Sequence, residues 1–475
     1  MPVVLNNPKP LSWKNATGDD DTMLQNLQAN ILKGHVREHL HILLLQFGQG
    51  AEGTAEARAF LTGLAPLMKS AKTQLQEVKA FKENELKDVS DVPDVPYVGV
   101  GLTFAGYDRL GLADRAPSDE AFRRGMRDEV TRQKLVDPEV AQWEAGFQEE
   151  IHAVVLVGGA KAGPADTKLQ EIEGLLTGSI RVLGRETGRG MHNANGDGIE
   201  HFGYVDGRSQ PLFLAEDLEE ERRRSDGVSV WDPFQPLERV LVTDPAAPDP
   251  ATDFGSYFVL RKLEQNVRAF KQAEEALADA LKLENDDRER AGAMLVGRFE
   301  DGTPLTLQGM PGAHSPVMNN FNYDSDGAAD KCPYQAHIRK TNPRGSGGFG
   351  QSPEAERRHL MARRGQTYGE RSEGDLPETG VGLLFMAFNS DLKSQFEFTQ
   401  HTWANSSGFP EPAEGEPAPG LDQVIGQIKG DRPPATWPRA WGKVEGQEVP
   451  AMAQAVTMKG GEYFFMPSLS FLRSL

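Results

Sequence analysis

Apolar residues fall in short runs along the chain, and three of the first, His39 to Phe47, Tyr97 to Phe104 and Ile151 to Val157, read as strands. Their β-branched and aromatic content suits a pleated, buried surface. Thr54 to Lys69, Ala105 to Leu112 and Pro164 to Leu176 have helical character, and a short strand, Ser179 to Leu183, follows. Strand, helix, strand, strand, helix, strand is the split βαβ order, so the first half fits a ferredoxin-like α+β unit.

An acidic-then-basic run, Glu216 to Arg224, reads as a solvated loop and separates two expected domains, 1–215 and 216–475. Beyond it the pattern predicts a strand at Gly255 to Lys262, a helix at Gln265 to Leu283 and a buried strand at Gly382 to Phe388. A Gly/Pro/Glu-rich loop spans Gly408 to Gly420, and Gly460 to Pro467 forms a last strand ended by proline. The halves resemble each other in element order, although no repeat shows at the level of residues.

A chain of 475 residues has ample length for two large units at about 100 to 200 residues each. Its 51 basic against 70 acidic residues leave a net charge of −19. With no long basic run, that balance argues against a nucleic-acid groove or an anionic membrane surface. The single cysteine, Cys332, rules out an internal disulfide framework and disfavours a Cys-based zinc site. Residues 1–21 carry no signal pattern, and no apolar run approaches the roughly 20 residues of a membrane span. The expected location is cytoplasmic, unless a leader has been removed, and the glycosylation patterns at Asn15 and Asn405 then have no use.

Candidate chemistry concentrates in segments distant in sequence. In His201-Phe202-Gly203-Tyr204-Val205-Asp206-Gly207-Arg208-Ser209-Gln210-Pro211 a carboxylate sits between glycines, which permit close backbone approach or a positive φ. An ordinary Asp-Gly turn is the plain alternative. Lys331 to Arg344 holds one imidazole, His337, as a metal ligand, a general base or a surface residue beside Arg339 and Lys340. There is no His-Glu-x-x-His pair, no phosphate-binding loop, and no strand-flanked Gly-x-Gly-x-x-Gly; Gly345 to Gly350 follows no strand and reads as a flexible loop. A single imidazole can still hold a metal when a macrocycle supplies the other ligands. His359 to Gly369 places Arg363 and Arg364 before a glycine turn, either as a solvated helix end or as guanidinium aimed at an anion. Leu383 and Phe385 share one face of a strand by its two-residue period.

These residues resemble the dye-decolourising haem peroxidase family. Gly203-Tyr204-Val205-Asp206-Gly207 matches its Gly-x-x-Asp-Gly signature, and Cys332-Pro333 through His337 to Asn342-Pro343-Arg344 is similar to its proximal-histidine segment. Asn26 to Gly34, Leu260 to Val267 and Gly460 to Leu472 resemble the family in order, so the likeness covers nearly the whole chain. It implies two ferredoxin-like units, each an antiparallel sheet with helices, forming a dimeric α+β barrel-like arrangement within one chain, with haem b held mainly by the second.

By the same resemblance, His337 is the proximal iron ligand, Asp206 the distal acid-base carboxylate and Arg363 the distal arginine, with Arg364 the runner-up by one position. Leu383 and Phe385 form the distal apolar wall, Asp422 backs the proximal histidine, and Arg344 meets a haem propionate. One departure stands out: Gln366-Thr367-Tyr368-Gly369 lacks the proline that often follows the distal arginine, so that loop is less rigid. The implied partners are hydrogen peroxide and bulky aromatic reductants such as dyes and phenols, and a homo-oligomer stays open. Trp403 and Tyr368 are candidates for an electron relay, against a core role for both. The rival functions are a haem-binding or haem-handling protein without turnover, and a cargo enzyme of a protein shell, which would carry a docking tail beyond Phe471 to Leu475.

Overall fold

In a computed structural model of the chain, the structure describes residues 2–475 apart from 36–37, 85–94, 226, 313–316, 348–351, 373 and 412–417. Parts of the loops expected at 345–350 and 408–420 thus lie outside the described residues. The strands are β1 (His39–Gln46), β2 (Tyr97–Leu102), β3 (Ala153–Gly159), β4 (Arg181–Arg189), β5 (Val242–Thr243), β6 (Phe254–Gln265), β7 (Ala362–Arg363), β8 (Gln366–Tyr368), β9 (Gly382–Asn389), β10 (Ala435–Pro438), β11 (Gly446–Val449) and β12 (Val456–Met466). All but β10 and β11, which pair with each other, belong to one sheet in the order β4-β1-β3-β2-β12-β6-β9-β7, with β5 on β6 and β8 on β9.

That order repeats itself. The first four strands lie in the spatial order 4-1-3-2, and β6, β7, β9 and β12, numbered as the second half's own four, lie in the order 4-1-3-2 again. Every pairing is antiparallel, and the halves meet where Phe465 of β12 faces Leu102 of β2. At the far edges β4 comes up against β8. Thr367 donates to the carbonyl of Arg189, and a Cβ at Gly188 would lie only 2.6 Å from the Gln366 side chain. Glycine there lets the edges touch, which closes the sheet as a barrel and removes exposed edges. The two ferredoxin-like units expected from sequence are therefore present.

Continuous apolar runs explain the central strands: β2 and β3 are buried at every position, as expected of strands covered on both faces. The helix Val267–Leu281 buries Val267, Phe270, Leu277 and Leu281 at helical spacing, and its first turn is capped by Asn266, whose side chain accepts the Ala269 N–H at 2.9 Å. The segment 216–224 departs from expectation. It is part of a helix, Ala215–Arg224, because Glu216 and Asp217 occupy its first turn and Arg222, Arg223 and Arg224 its last, a distribution that complements the helix dipole. Its buried face carries Leu218 and Glu221, and Glu221 pairs with Arg208 at 2.8 Å.

Within β12, Glu462 is buried, and its Oε1 accepts the amides of Met126 at 2.7 Å and Tyr463 at 2.8 Å. Burial pushes its pKa up to about 7 from 4.5. The folded chain thus holds a proton that the unfolded chain releases near pH 4.5, so stability falls as pH rises from 4.5 through 7. Glu462→Gln keeps the oxygen that both amides use and has no proton to lose. Thermal unfolding at pH 5 and pH 8 should show the variant gaining on the wild type by on the order of 3 kcal/mol at the higher pH. An unchanged difference between the two pH values would contradict the assignment.

Candidate active site

A cavity of about 410 Å³ lies against the second half of the sheet, where β6 contributes Arg261 and Leu263 and β9 contributes Leu383 and Phe385. Alternation along each strand sends these side chains to one face. Asp206, His337, Arg344 and Arg363 line the same cavity. The site residues named from sequence, 131 residues apart in the case of Asp206 and His337, are therefore neighbours in space.

Asp206 is presented by a tight turn. Ile199 bridges to Val205, the Asp206 N–H donates to Gly198 O at 3.0 Å, and Gly203 and Gly207 take φ values of 103° and 75° that other residues rarely adopt. The turn is fastened from two sides. Phe202 stacks on Phe270 with ring centroids 4.0 Å apart, and the Glu200 carboxylate accepts the amides of Phe202 at 2.8 Å and Tyr204 at 3.0 Å as well as the Gln265 side chain. Burial pushes Glu200 up to about 7. Asp206 itself is left exposed to the cavity.

The two arginines separate by role. Arg363 donates from Nη2 to Arg208 O at 3.0 Å, and its backbone N–H donates to Gln210 Oε1 at 2.9 Å, so it is tied to the segment that carries Asp206. Burial lowers its pKa, while the charge of Asp206 works the other way. Arg364 borders the cavity but spends its guanidinium on the carbonyls of Asn30, Ile31 and Arg363, each at 2.8 Å. It locks the N-terminal segment to the second half.

His337 is the first residue of the short helix His337–Thr341, and its Nδ1–H donates to Asp422 Oδ2 at 2.8 Å. Asp422 is fully buried, and its Oδ1 accepts the amides of Val424 at 2.8 Å and Ile425 at 2.9 Å. Burial alone would raise the carboxyl pKa; the imidazole and the two amides outweigh it and hold Asp422 below the usual range. Conversely, burial would depress His337, but the Asp422 charge and hydrogen bond raise it. The pair leaves Nε2 as the imidazole nitrogen that faces the cavity.

Arg344 is buried, donates to the carbonyls of Asn319 at 2.9 Å and Phe321, and shares Ser209 Oγ with Arg298. Neither arginine has a carboxylate partner among the described residues. Burial pulls Arg344 down to about 9 and Arg298 to about 10. Arg298, Glu200 and Ser209 were not singled out in the sequence, because their roles come from contacts with distant segments. Trp403 is fully buried among His359, Phe398 and Phe409, and Tyr368 is largely buried with 7% of its surface exposed.

This donor set suits haem b. It offers one imidazole nitrogen backed by a carboxylate, apolar walls from Leu263, Leu383 and Phe385, and two unpaired buried guanidiniums for acidic groups at the cofactor's rim. No cluster of three or more His, Cys, Asp or Glu among the described residues could hold a bare metal ion.

Residues 26–190 match the model of the DyP dimeric alpha+beta barrel domain. The multifunctional dye peroxidase DyP2 of Amycolatopsis sp. is 59% identical over the full length of both chains, and the dye-decolorizing peroxidase msp1 of Mycetinis scorodonius is 30% identical over 80% of this chain and 76% of its own. Among solved structures, DyP2 superposes with a TM-score of 0.93 at 58% identity and full coverage of both chains. A DyP-type peroxidase of Anabaena sp. superposes at 0.90 with 39% identity, covering 99% of this chain and 98% of that one. The chain belongs to the dye-decolourising peroxidase family, the haem-dependent oxidoreductases that use hydrogen peroxide.

Proposed function

We propose that in this peroxidase Asp206 and Arg363 carry out the peroxide chemistry, while His337, backed by Asp422, holds the iron. The observation that carries the proposal is the convergence of these side chains on one cavity, with Nε2 of His337 the imidazole nitrogen directed into it. Haem supplies the iron at which peroxide is reduced and the store of oxidising equivalents later drawn on by an aromatic donor such as a dye or phenol.

The chain's own residues do the rest. The Asp206 carboxylate accepts the proton from one peroxide oxygen and returns it to the other, which departs as water. Arg363 supplies a fixed positive charge where negative charge develops on the breaking O–O bond, and burial keeps water from screening it. Asp422 accepts the Nδ1–H of His337 and makes Nε2 a stronger electron donor. Arg344 and Arg298 would take the two carboxylates of the cofactor, and the half-buried Leu383 and Phe385 would give the cavity an apolar wall. A haem carrier would have no use for a carboxylate and a guanidinium lining the same cavity.

Asp206→Asn should slow the reaction with peroxide by about 10² to 10⁴-fold in stopped-flow absorbance, with haem content unchanged. A variant as fast as the wild type would remove Asp206 from the mechanism and favour the carrier. Arg363→Leu should lower the same rate by roughly 10² to 10³-fold at nearly unchanged melting temperature. Arg364→Leu should leave that rate nearly unchanged but remove the donors to the carbonyls of Asn30 and Ile31, costing about 1 to 3 kcal/mol of stability. Equal kinetic losses in the two arginine variants would sink the assignment. Asp422→Asn should raise the reduction potential of the bound haem, measured by spectroelectrochemical titration.

A further inference from the structure

Lys340 lies one helical turn beyond His337 and has no exposed surface. Among the described residues it pairs with no carboxylate. Its Nζ donates to Ser406 O at 2.6 Å and to Phe409 O, and faces Trp403 O at 3.5 Å. Three carbonyls thus match the three donors of an ammonium group. Burial pulls its pKa down to about 7, and the charge of Asp422 acts in the opposite direction.

The segment these carbonyls belong to has a second task. Its Ala404 O accepts the amide of Asp422 at 3.0 Å, and its Ser407 O accepts the amide of Gly420 at 3.0 Å. The loop that carries Asp422 therefore hangs from residues 403–409, and Lys340 ties those residues to the helix that carries His337. Burying a lysine only to fill this space would be costly, since an apolar side chain of similar size fills it without desolvating a charge. We propose that Lys340 is a positioning residue that holds the Asp422 carboxylate against Nδ1 of His337, and so tunes the iron through that hydrogen bond. This rests on the reading of His337 and Asp422 as the proximal pair.

The test is a double-mutant cycle on the haem-loaded protein with reduction potential as the readout. Wild type, Lys340→Met, Asp422→Asn and the double variant are titrated side by side. Methionine keeps the volume but removes the donors, so Lys340→Met should shift the potential upward, as Asp422→Asn does, and add nothing in the Asp422→Asn background. Lys340→Gln, which retains an amide donor, should give a smaller shift of the same sign, and it carries the cycle if the methionine variant does not fold. A potential equal to the wild type's, a downward shift of the kind expected from losing a positive charge alone, or an undiminished shift in the Asp422→Asn background would each overturn the proposal. An Asp422→Asn protein at the wild-type potential would instead overturn the proximal reading, and the proposal with it.

Discussion

A carboxylate with no access to water must find donors inside the protein or give up its charge, and Asp422 is such a group. Its two oxygens are met by His337, Val424 and Ile425, which makes ionisation cheap enough to persist in the core. The requirement propagates outward. The backbone of Asp422 is itself fixed, its N–H on Ala404 O and its carbonyl accepting from Gly426 and Arg432, so the loop cannot slide without unpairing a buried charge. The orientation of the imidazole, and hence the direction of Nε2, follows from a carboxylate that has nowhere else to go.

The opposite imbalance surrounds the rest of the cavity. A protein with a net charge of −19 gathers Arg298, Arg344 and Arg363 around one hollow and gives none of them a carboxylate partner among the described residues. Carbonyl oxygens satisfy their hydrogen bonds but not their charge, which is why burial depresses all three. By the roles proposed above, the carboxylates of an acidic cofactor would complete what the chain leaves open at Arg298 and Arg344. Binding energy gained there is stability gained by the fold, so haem loading and resistance to unfolding are linked by mass action.

Much of this architecture was legible in the sequence because strand and helix periodicities are local properties. Continuous apolar runs at 97–102 and 153–157 announced central strands, and the alternation of elements announced two ferredoxin-like units. Barrel closure was not legible from periodicity and came only with the family resemblance, since it depends on Gly188 meeting Gln366 across 178 residues of chain. At the site, Asp206 and His337 read locally as a turn and a stray histidine, and only the family resemblance joined them. Arg298, Glu200 and Lys340 had no local pattern at all: each is an ordinary charged residue whose meaning lies in which carbonyl or amide reaches it from elsewhere. The run from Glu216 to Arg224 misled because charge density says solvated, whereas the order of the charges, acidic first and basic last, says helix.

The same period that hides in short strands explains the paired arginines. Arg363 ends β7 and Arg364 follows it directly, so successive side chains leave the backbone in opposite directions. One guanidinium reaches the segment that carries Asp206, and the other reaches the carbonyls at 30 and 31. A catalytic cation in a buried site must be held without being neutralised, which calls for a rigid backbone and not for a nearby carboxylate. Arg364 supplies that rigidity by anchoring the residue next to Arg363 to the other half of the barrel. A sequence window sees two equivalent arginines; the fold sends one guanidinium toward the segment of Asp206 and spends the other on the carbonyls at 30 and 31.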